Sequence, residues 1–291
     1  IGTGMKTDIC CRLGIRPVFQ PALRRGGWVG ARIIGLSFAG GLFLAGCVAE
    51  PAQQRTENLI ALDRSLFQAA KSFEKRRDYT TAVSYYRNLY RRNHSDIEAV
   101  VGLSRGLRHL QQAREAQAII LRALKEAPKD YDLRAELGKV QLSLGEPLKA
   151  IEQLSRVDAE IKGKRWDIKV ALAIGHDRVE MYEQAERRYR QALQLSPENA
   201  AVMNNFALSL AQAGRLAEAL ELLERAASLP EATPRMRQNL ALLYVMKGDL
   251  ASAERYVRRD MSPKVAKKNM IYYRQLRDGM AGRAASAGEP A

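Results

Sequence analysis

An alanine recurs every 34 or 35 residues through most of the chain, and this period limits the folds that the chain can adopt. The six alanines are Ala82, Ala116, Ala150, Ala185, Ala219 and Ala253. A large apolar residue follows each of them by four positions, and Ala, Ser or Gly precedes it by twelve. A spacing of four matches one turn of α-helix, and a fixed period of about 20–50 residues is typical of stacked repeat units. The sequence therefore predicts six units built from helices.

The composition supports an all-α fold. Ala, Leu, Arg and Glu dominate the sequence and favour helix, and runs of Val, Ile and Thr with period two are missing. The small residues allow two antiparallel helices to approach closely, while the bulky residues one turn away fill the groove between units. Gly145, Gly214 and Gly248 mark the turns between paired helices.

The 34-residue pattern resembles the tetratricopeptide repeat, W-x2-L-G-x2-Y…A-x3-F…P. The resemblance implies an α-solenoid of six helix-turn-helix repeats over residues 58–262, with an ordinary helical bundle as the alternative. Ser262 and Pro263 are typical of a helix start, so we expect a capping helix over 263–278 and a disordered tail over 279–291. Other residues occupy the tryptophan slot: Leu66, Val100, Arg134, Lys169, Met203 and Arg237.

The first 46 residues have the features of an export signal in the expected order. A basic segment precedes an uncharged run over 33–45, which is shorter than the roughly 20 apolar residues of a bilayer-spanning helix. The run ends in Leu-Ala-Gly-Cys47, which resembles the bacterial lipobox. The resemblance implies a cleaved signal peptide (1–46), lipidated Cys47 and a tether (47–57); an uncleaved anchor is the alternative. Val48 in place of Asp implies the periplasmic face of the outer membrane.

The first helices of stacked tetratricopeptide units form a concave inner wall, and peptide ligands lie along it in this family. In units one to three the register places three basic residues there: Lys71, Arg105 and Lys139. In units five and six it places amides and leucines: Asn204, Asn205, Leu208, Gln238, Asn239 and Leu242. An amide both donates and accepts hydrogen bonds, so we expect this groove to hold a peptide segment. The alternative is that these are solvated surface residues without a ligand.

The net charge and the missing motifs exclude several function classes. The formal net charge is +15, which can indicate nucleic-acid binding, but an exported protein meets little nucleic acid. An acidic partner or anionic headgroups fit this charge better. The sequence contains no G-x-S-x-G, H-E-x-x-H, P-loop or G-x-G-x-x-G motif, and its three histidines are scattered. We therefore expect no enzyme, no cofactor, no metal site and no small-molecule substrate.

Residues 197–263 carry a narrower resemblance. The stretches 205–219, 232–242, 248–255 and 258–263 together resemble the TadD family of tetratricopeptide lipoproteins, which serve the tight-adherence (Flp) pilus. The resemblance implies a scaffold for pilus assembly with a pilotin-like role, so the expected partners are secretion components and the secretin above all. Two alternatives stay open. One is another envelope-assembly lipoprotein, for outer-membrane proteins or peptidoglycan, and the other is a regulatory subunit of a periplasmic hydrolase.

Overall fold

The computed structural model describes residues 52–287, which form thirteen α-helices and no strand. The helices are α1 Ala52–Lys75, α2 Tyr79–Arg92, α3 Ile97–His109, α4 Ala113–Glu126, α5 Tyr131–Ser143, α6 Pro147–Glu160, α7 Trp166–Arg178, α8 Tyr182–Leu195, α9 Ala200–Gln212, α10 Leu216–Ser228, α11 Pro234–Lys247, α12 Leu250–Asp260 and α13 Pro263–Ala287. From Leu59 onward the chain folds as one compact unit. Within the described range, every helix is too short or too polar to cross a bilayer.

The helices pair into six units, each with an odd-numbered first helix and an even-numbered second helix, and α13 follows the last unit. All six alanines of the period are fully buried. A Cβ added to Gly138 on α5 would lie 2.5 Å from the Cγ of Leu154 on α6. Because the paired helices approach this closely, only small residues fit between them. The predicted all-α repeat fold and its register are confirmed.

One left-handed residue ends the first helix of every unit. The six residues have φ between 60° and 89°: Arg77, Gln111, Gly145, Glu180, Gly214 and Gly248. They follow the same period as the alanines, although only three of them are glycine. Glycine adopts this conformation without steric cost, so the sequence revealed the turn in three units. In units one, two and four a larger residue, Arg77, Gln111 or Glu180, adopts the left-handed conformation because the two flanking helices require the same turn.

Cationic residues in the tryptophan slot form ion pairs in units three and six. Arg134 donates two hydrogen bonds, of 2.6 and 2.7 Å, to the carboxylate of Glu160 at the end of α6. Arg237 contacts Asp260 at the end of α12 in the same way, at 2.7 and 2.6 Å. This contact explains the acidic residue at position 260, where the repeat pattern has a small apolar one. Fork-shaped guanidinium–carboxylate pairs replace the apolar contact of a tryptophan in both units.

The inserted residue of the 35-residue period, between Ala150 and Ala185, lies in the linker between units three and four. This linker, 161–165, has five residues, whereas the linkers 93–96, 127–130 and 196–199 have four. The linker 229–233 also has five, but there the preceding helix α10 ends one residue earlier in the repeat than α4, α6 and α8 do. Beside it, Lys169 fills the tryptophan slot of unit four, and its Nζ lies 2.8 Å from Oδ2 of Asp158. Both side chains are buried. A buried ion pair therefore joins α7 to α6 beside the inserted residue.

The two ends of the described region differ from the sequence-based expectation. Helix α1 begins at Ala52, inside the predicted tether 47–57, and α13 continues to Ala287, through the predicted cap 263–278 and most of the predicted tail 279–291. Both segments are rich in good helix formers: Ala, Gln, Arg and Glu before α1 enters unit one, and Ala and Arg at the end of α13. The predicted signal peptide 1–46 and Cys47 lie outside the described residues.

Candidate peptide-binding face

The first helices of neighbouring units lie side by side. Helix α3 contacts α5, α5 contacts α7, α7 contacts α9, and α9 contacts α11. We call the surface formed by α1, α3, α5, α7, α9 and α11 the first-helix face. It contains all nine predicted groove residues. Its side chains project from six helices in the same register, so the chemistry of one slot can be compared from unit to unit.

Two of the three predicted basic residues are neutralised by carboxylates of the neighbouring first helix. Arg105 on α3 forms a forked ion pair with Glu74 on α1, in which Nη2 lies 2.9 Å from Oε2. Lys139 on α5 lies 2.7 Å from Asp167 on α7. The ammonium of Lys71 is exposed and lies 5.3 Å from the ring centroid of Phe67. The three residues therefore do not form a row of unpaired cations.

The carboxylates that bind side chains of a neighbouring first helix were not recognised in the sequence. The clearest case is Glu136 on α5, which is only 2 % exposed. It accepts hydrogen bonds from Ser104, at 3.1 Å, and from Arg108, at 2.8 Å, both on α3. A buried carboxylate needs such partners to offset its lost hydration. Since its donors come from the preceding unit, no pattern within one repeat identifies it.

Helix α7 has a carboxylate near each end. One belongs to the ion pairs of units three and four, and the other contacts unit five. Burial acts to raise the pKa of Asp167, but the ion pairs with Arg165 and Lys139 outweigh it and hold that pKa well below its usual range. Burial raises the pKa of Asp177 at the other end of the helix. Asp177 accepts hydrogen bonds from Ser209 on α9, at 2.6 Å, and from the Tyr189 hydroxyl, at 2.9 Å. Neutral donors thus replace cations at the boundary with unit five.

Units five and six carry a connected set of half-buried amides on the first-helix face. The Nδ2 of Asn239 on α11 donates to Oδ1 of Asn204 on α9 at 2.9 Å. The Nδ2 of Asn204 donates in turn to Oδ1 of Asn205 at 3.3 Å. We call Asn204, Asn205 and Asn239 the amide ladder. The sequence predicted that Asn205 and Asn239 act together, and the structure places Asn204 between them as the residue that crosses from unit five to unit six.

The amide ladder retains hydrogen-bonding capacity and lies beside half-buried apolar side chains. Each asparagine offers two N–H donors and an oxygen with two lone pairs, so two hydrogen bonds use a small part of what three amides provide. Gln238 is half-buried beside the ladder, and so are Leu208 and Leu242, which occupy the slot of Arg105 and Lys139. Amides flanked by apolar side chains suit an extended peptide backbone better than a charged ligand.

Other parts of the described region provide weaker candidate sites. An open cleft of about 700 Å³ lies between α4, α5 and α6, away from the amide ladder, and is lined by Leu124, Tyr131, Leu137 and the Arg134–Glu160 ion pair. Within residues 52–287 no group of three His, Cys, Asp or Glu side chains is arranged to hold a metal ion. The first-helix face of units five and six is therefore the best candidate for a functional site.

A family model for the tetratricopeptide repeat matches residues 101–163 and 170–236. These two stretches are tetratricopeptide repeats. They cover units two to five, and the helix pairing and the left-handed turn continue the same architecture into units one and six. A 76-residue stretch is 38% identical to a tetratricopeptide repeat-containing thioredoxin of Arabidopsis thaliana; it spans 26% of this chain and 11% of that protein.

Two solved structures share the solenoid. One is a thermophilic tetratricopeptide protein of Thermus thermophilus, with a TM-score of 0.54 and 22% identity, covering 61% of this chain and 98% of that one. The other is PilW, described as a widely conserved type IV pilus biogenesis factor, with a TM-score of 0.55 and 15% identity, covering 68% and 91%. At these identities the likeness concerns the tetratricopeptide fold alone.

Proposed function

We propose that this chain is a tetratricopeptide scaffold for assembly of the tight-adherence (Flp) pilus, with a pilotin-like role at the outer membrane. In this proposal the first-helix face of units five and six captures an extended segment of a secretion component, with the secretin as the first candidate. A lipid on Cys47 holds the complex at the membrane. Tetratricopeptide repeats are protein-interaction scaffolds, so the proposal assigns the chain no reaction of its own.

The amide ladder is the observation that carries this proposal. An extended peptide exposes alternating N–H and C=O groups, and an amide side chain can pair with both. Asn204 and Asn239 lie on adjacent first helices and are 2.9 Å apart between donor and acceptor. Leu208 and Leu242, one turn further along each helix, offer apolar contact. Such a site recognises backbone and tolerates varied ligand side chains.

Two observations support the assignment to pilus assembly. Residues 197–263 resemble the TadD family, and this stretch includes the whole amide ladder together with helices α9 and α11, which carry it. PilW, described as a pilus biogenesis factor, shares the solenoid over 68% of this chain. The resemblance supplies the proposed system, and the ladder supplies the proposed site.

The binding site is tested by replacing the two asparagines that join units five and six. In the double variant Asn204→Ala, Asn239→Ala we expect binding to the secretin to weaken about five- to a hundredfold. Each lost hydrogen bond is worth roughly 0.5–1.5 kcal/mol. The matched control removes two amides from second helices, by Gln117→Ala and Gln194→Ala, and binds like the wild type. Circular dichroism melting monitors the folding of both variants. Wild-type affinity of the double variant for every pilus component would refute the site.

The lipid anchor is tested independently of the groove. Because acylation requires the thiol, Cys47→Ser should block processing of the signal and leave the protein off the outer membrane. The readouts are the size of the mature protein and its fractionation with the outer membrane. If the variant is still shortened and still fractionates with the outer membrane, the anchor is wrong while the groove remains open to its own test.

A further inference from the structure

One face of the last helix, α13, packs against unit six. Ala266, Met270 and Tyr273 are buried against apolar residues of α11 and α12. These three positions lie on one side of the helix, since their spacings are four and three residues. The packing closes the apolar end of the last unit, as the end of a stacked array requires.

The solvent-exposed half of α13 is not simply polar. Val265, Ile271 and Tyr272 are 49%, 48% and 43% exposed. A terminal helix that only solubilises the array has a polar outer face, and here three large apolar side chains occupy it. Val265 and Tyr272 are seven residues apart, two helical turns, so they lie on the same side. Packing within the described chain does not explain these side chains.

The solvent-exposed half of α13 also carries four exposed cations: Lys264, Lys267, Lys268 and Arg274. Within the described residues none of the four forms an ion pair at 4 Å or less, in contrast to Arg105 and Lys139 on the first-helix face. The nearest acid on the helix, Asp278, is engaged by Arg277 at 2.6 Å. Lys268 lies three residues after Val265 and four before Tyr272, so a cation lies directly between the two apolar side chains.

We propose that this α13 basic face, formed by the four cations with Val265, Ile271 and Tyr272, binds the surface of an anionic bilayer. On the exposed half of α13 the cations can meet lipid phosphates while the three apolar side chains enter the headgroup boundary. A tyrosine suits this depth because its ring is apolar and its hydroxyl is polar. An acidic protein surface would satisfy the cations and leave the three apolar side chains in water.

Vesicle co-sedimentation of the full chain, made in a cell-free system that does not acylate it, tests this proposal. The probes are phosphatidylcholine vesicles with and without 30% phosphatidylglycerol. The variant replaces the four cations by Gln: Lys264→Gln, Lys267→Gln, Lys268→Gln and Arg274→Gln. The control removes four exposed cations from earlier helices: Arg91→Gln, Arg114→Gln, Arg122→Gln and Arg225→Gln. All three proteins share residues 1–58, so any membrane affinity of that segment is the same in each.

We expect the wild type and the control to prefer the anionic vesicles, and the α13 variant to bind them about ten- to a hundredfold more weakly. A second variant, Ile271→Trp, reports the depth of the helix, and we expect its emission to shift to the blue with anionic vesicles relative to the wild type. Equal losses of binding in the α13 variant and the control would mean that only the net charge matters, and this would overturn the proposal. It would also be overturned if the wild type and the α13 variant bind equally well, or if the wild type shows no preference for phosphatidylglycerol.

Discussion

Units one to four and units five to six share one backbone architecture and differ in how they hold polar groups on the first-helix face. In the first group, cations and carboxylates of neighbouring first helices pair, as in Arg105–Glu74 and Lys139–Asp167. In the second group, uncharged amides connect α9 to α11. Paired ions satisfy each other, so a ligand must displace them, whereas amides can bind a second partner without breaking the first bond. The difference supports the proposed binding site in units five and six, and the left-handed turn common to all six units shows that the backbone is not its cause.

The largest effect on stability is expected when unit four receives the tryptophan-slot residue of unit five. Lys169→Met introduces the residue found at Met203, and it leaves the buried carboxylate of Asp158 with Arg188 alone, at 3.4 Å. We expect the free energy of unfolding to fall by about 3 kcal/mol, because removing one member of a buried pair strands the other. Urea unfolding measures the change.

The control for Lys169→Met breaks an exposed ion pair of the neighbouring helix. Arg190 is 60% exposed and pairs with Glu186 one turn before it, so Arg190→Met should cost only about 0.3–0.5 kcal/mol. Similar losses in the two variants would mean that unit four gains no stability from its buried Lys169–Asp158 ion pair.

The packing that both groups share predicts equal losses from one enlargement made in each. Ala116→Leu in unit two and Ala219→Leu in unit five both force extra methylenes between buried helices, and each should lower the free energy of unfolding by about 1–3 kcal/mol. Thermal and urea unfolding of the two variants provide the measurement. A loss confined to one group would show that the units differ in their packing as well as in their polar groups.

A smaller effect is expected from exchanging a residue of the first-helix face itself. Arg105→Leu places the unit-five residue of this slot in unit two and removes the cationic partner of Glu74, which keeps its hydrogen bond from Tyr86. We therefore expect a loss of about 1 kcal/mol that shrinks in 1 M NaCl. Lys71→Leu makes the same change in unit one, where the cation is exposed, and should alter stability by less than about 0.5 kcal/mol. If the two variants lose the same free energy of unfolding at low salt, the Arg105–Glu74 ion pair does not contribute to stability.

The fold was predictable from the sequence because its determinants repeat, and much of the candidate site was not. Ala82 and its five equivalents identify the register from composition and spacing alone. That register also predicts that Asn204, Asn205 and Asn239 lie on the first-helix face. By contrast, Glu136 and Asp167 bind side chains of a neighbouring unit, and such pairs have no signature within one 34-residue period. Arg237 shows a different limit, because its partner Asp260 lies in the same unit and appeared in the sequence only as a departure from the repeat pattern.

The two carboxylates of α7 differ in how they make stability depend on pH. The folded-state pKa of Asp167 lies below its unfolded value of about 3.9, so its contribution is present above that pH and is lost as the pH falls. The folded-state pKa of Asp177 lies above its unfolded value, so stability declines as the pH rises from about 4 through that folded pKa.

Asp167→Asn and Asp177→Asn should therefore change the pH dependence in opposite directions. Relative to the wild type, the Asp167 variant should be most destabilised near neutral pH and recover as the pH falls below about 4. The Asp177 variant should instead improve relative to the wild type as the pH rises from about 4 to 7, because it carries no charge into a buried site. Urea unfolding across pH 3–7 gives both curves. Parallel curves would mean that α7 meets the same electrostatic environment at both ends, and that the boundary between charged and uncharged units does not lie along this helix.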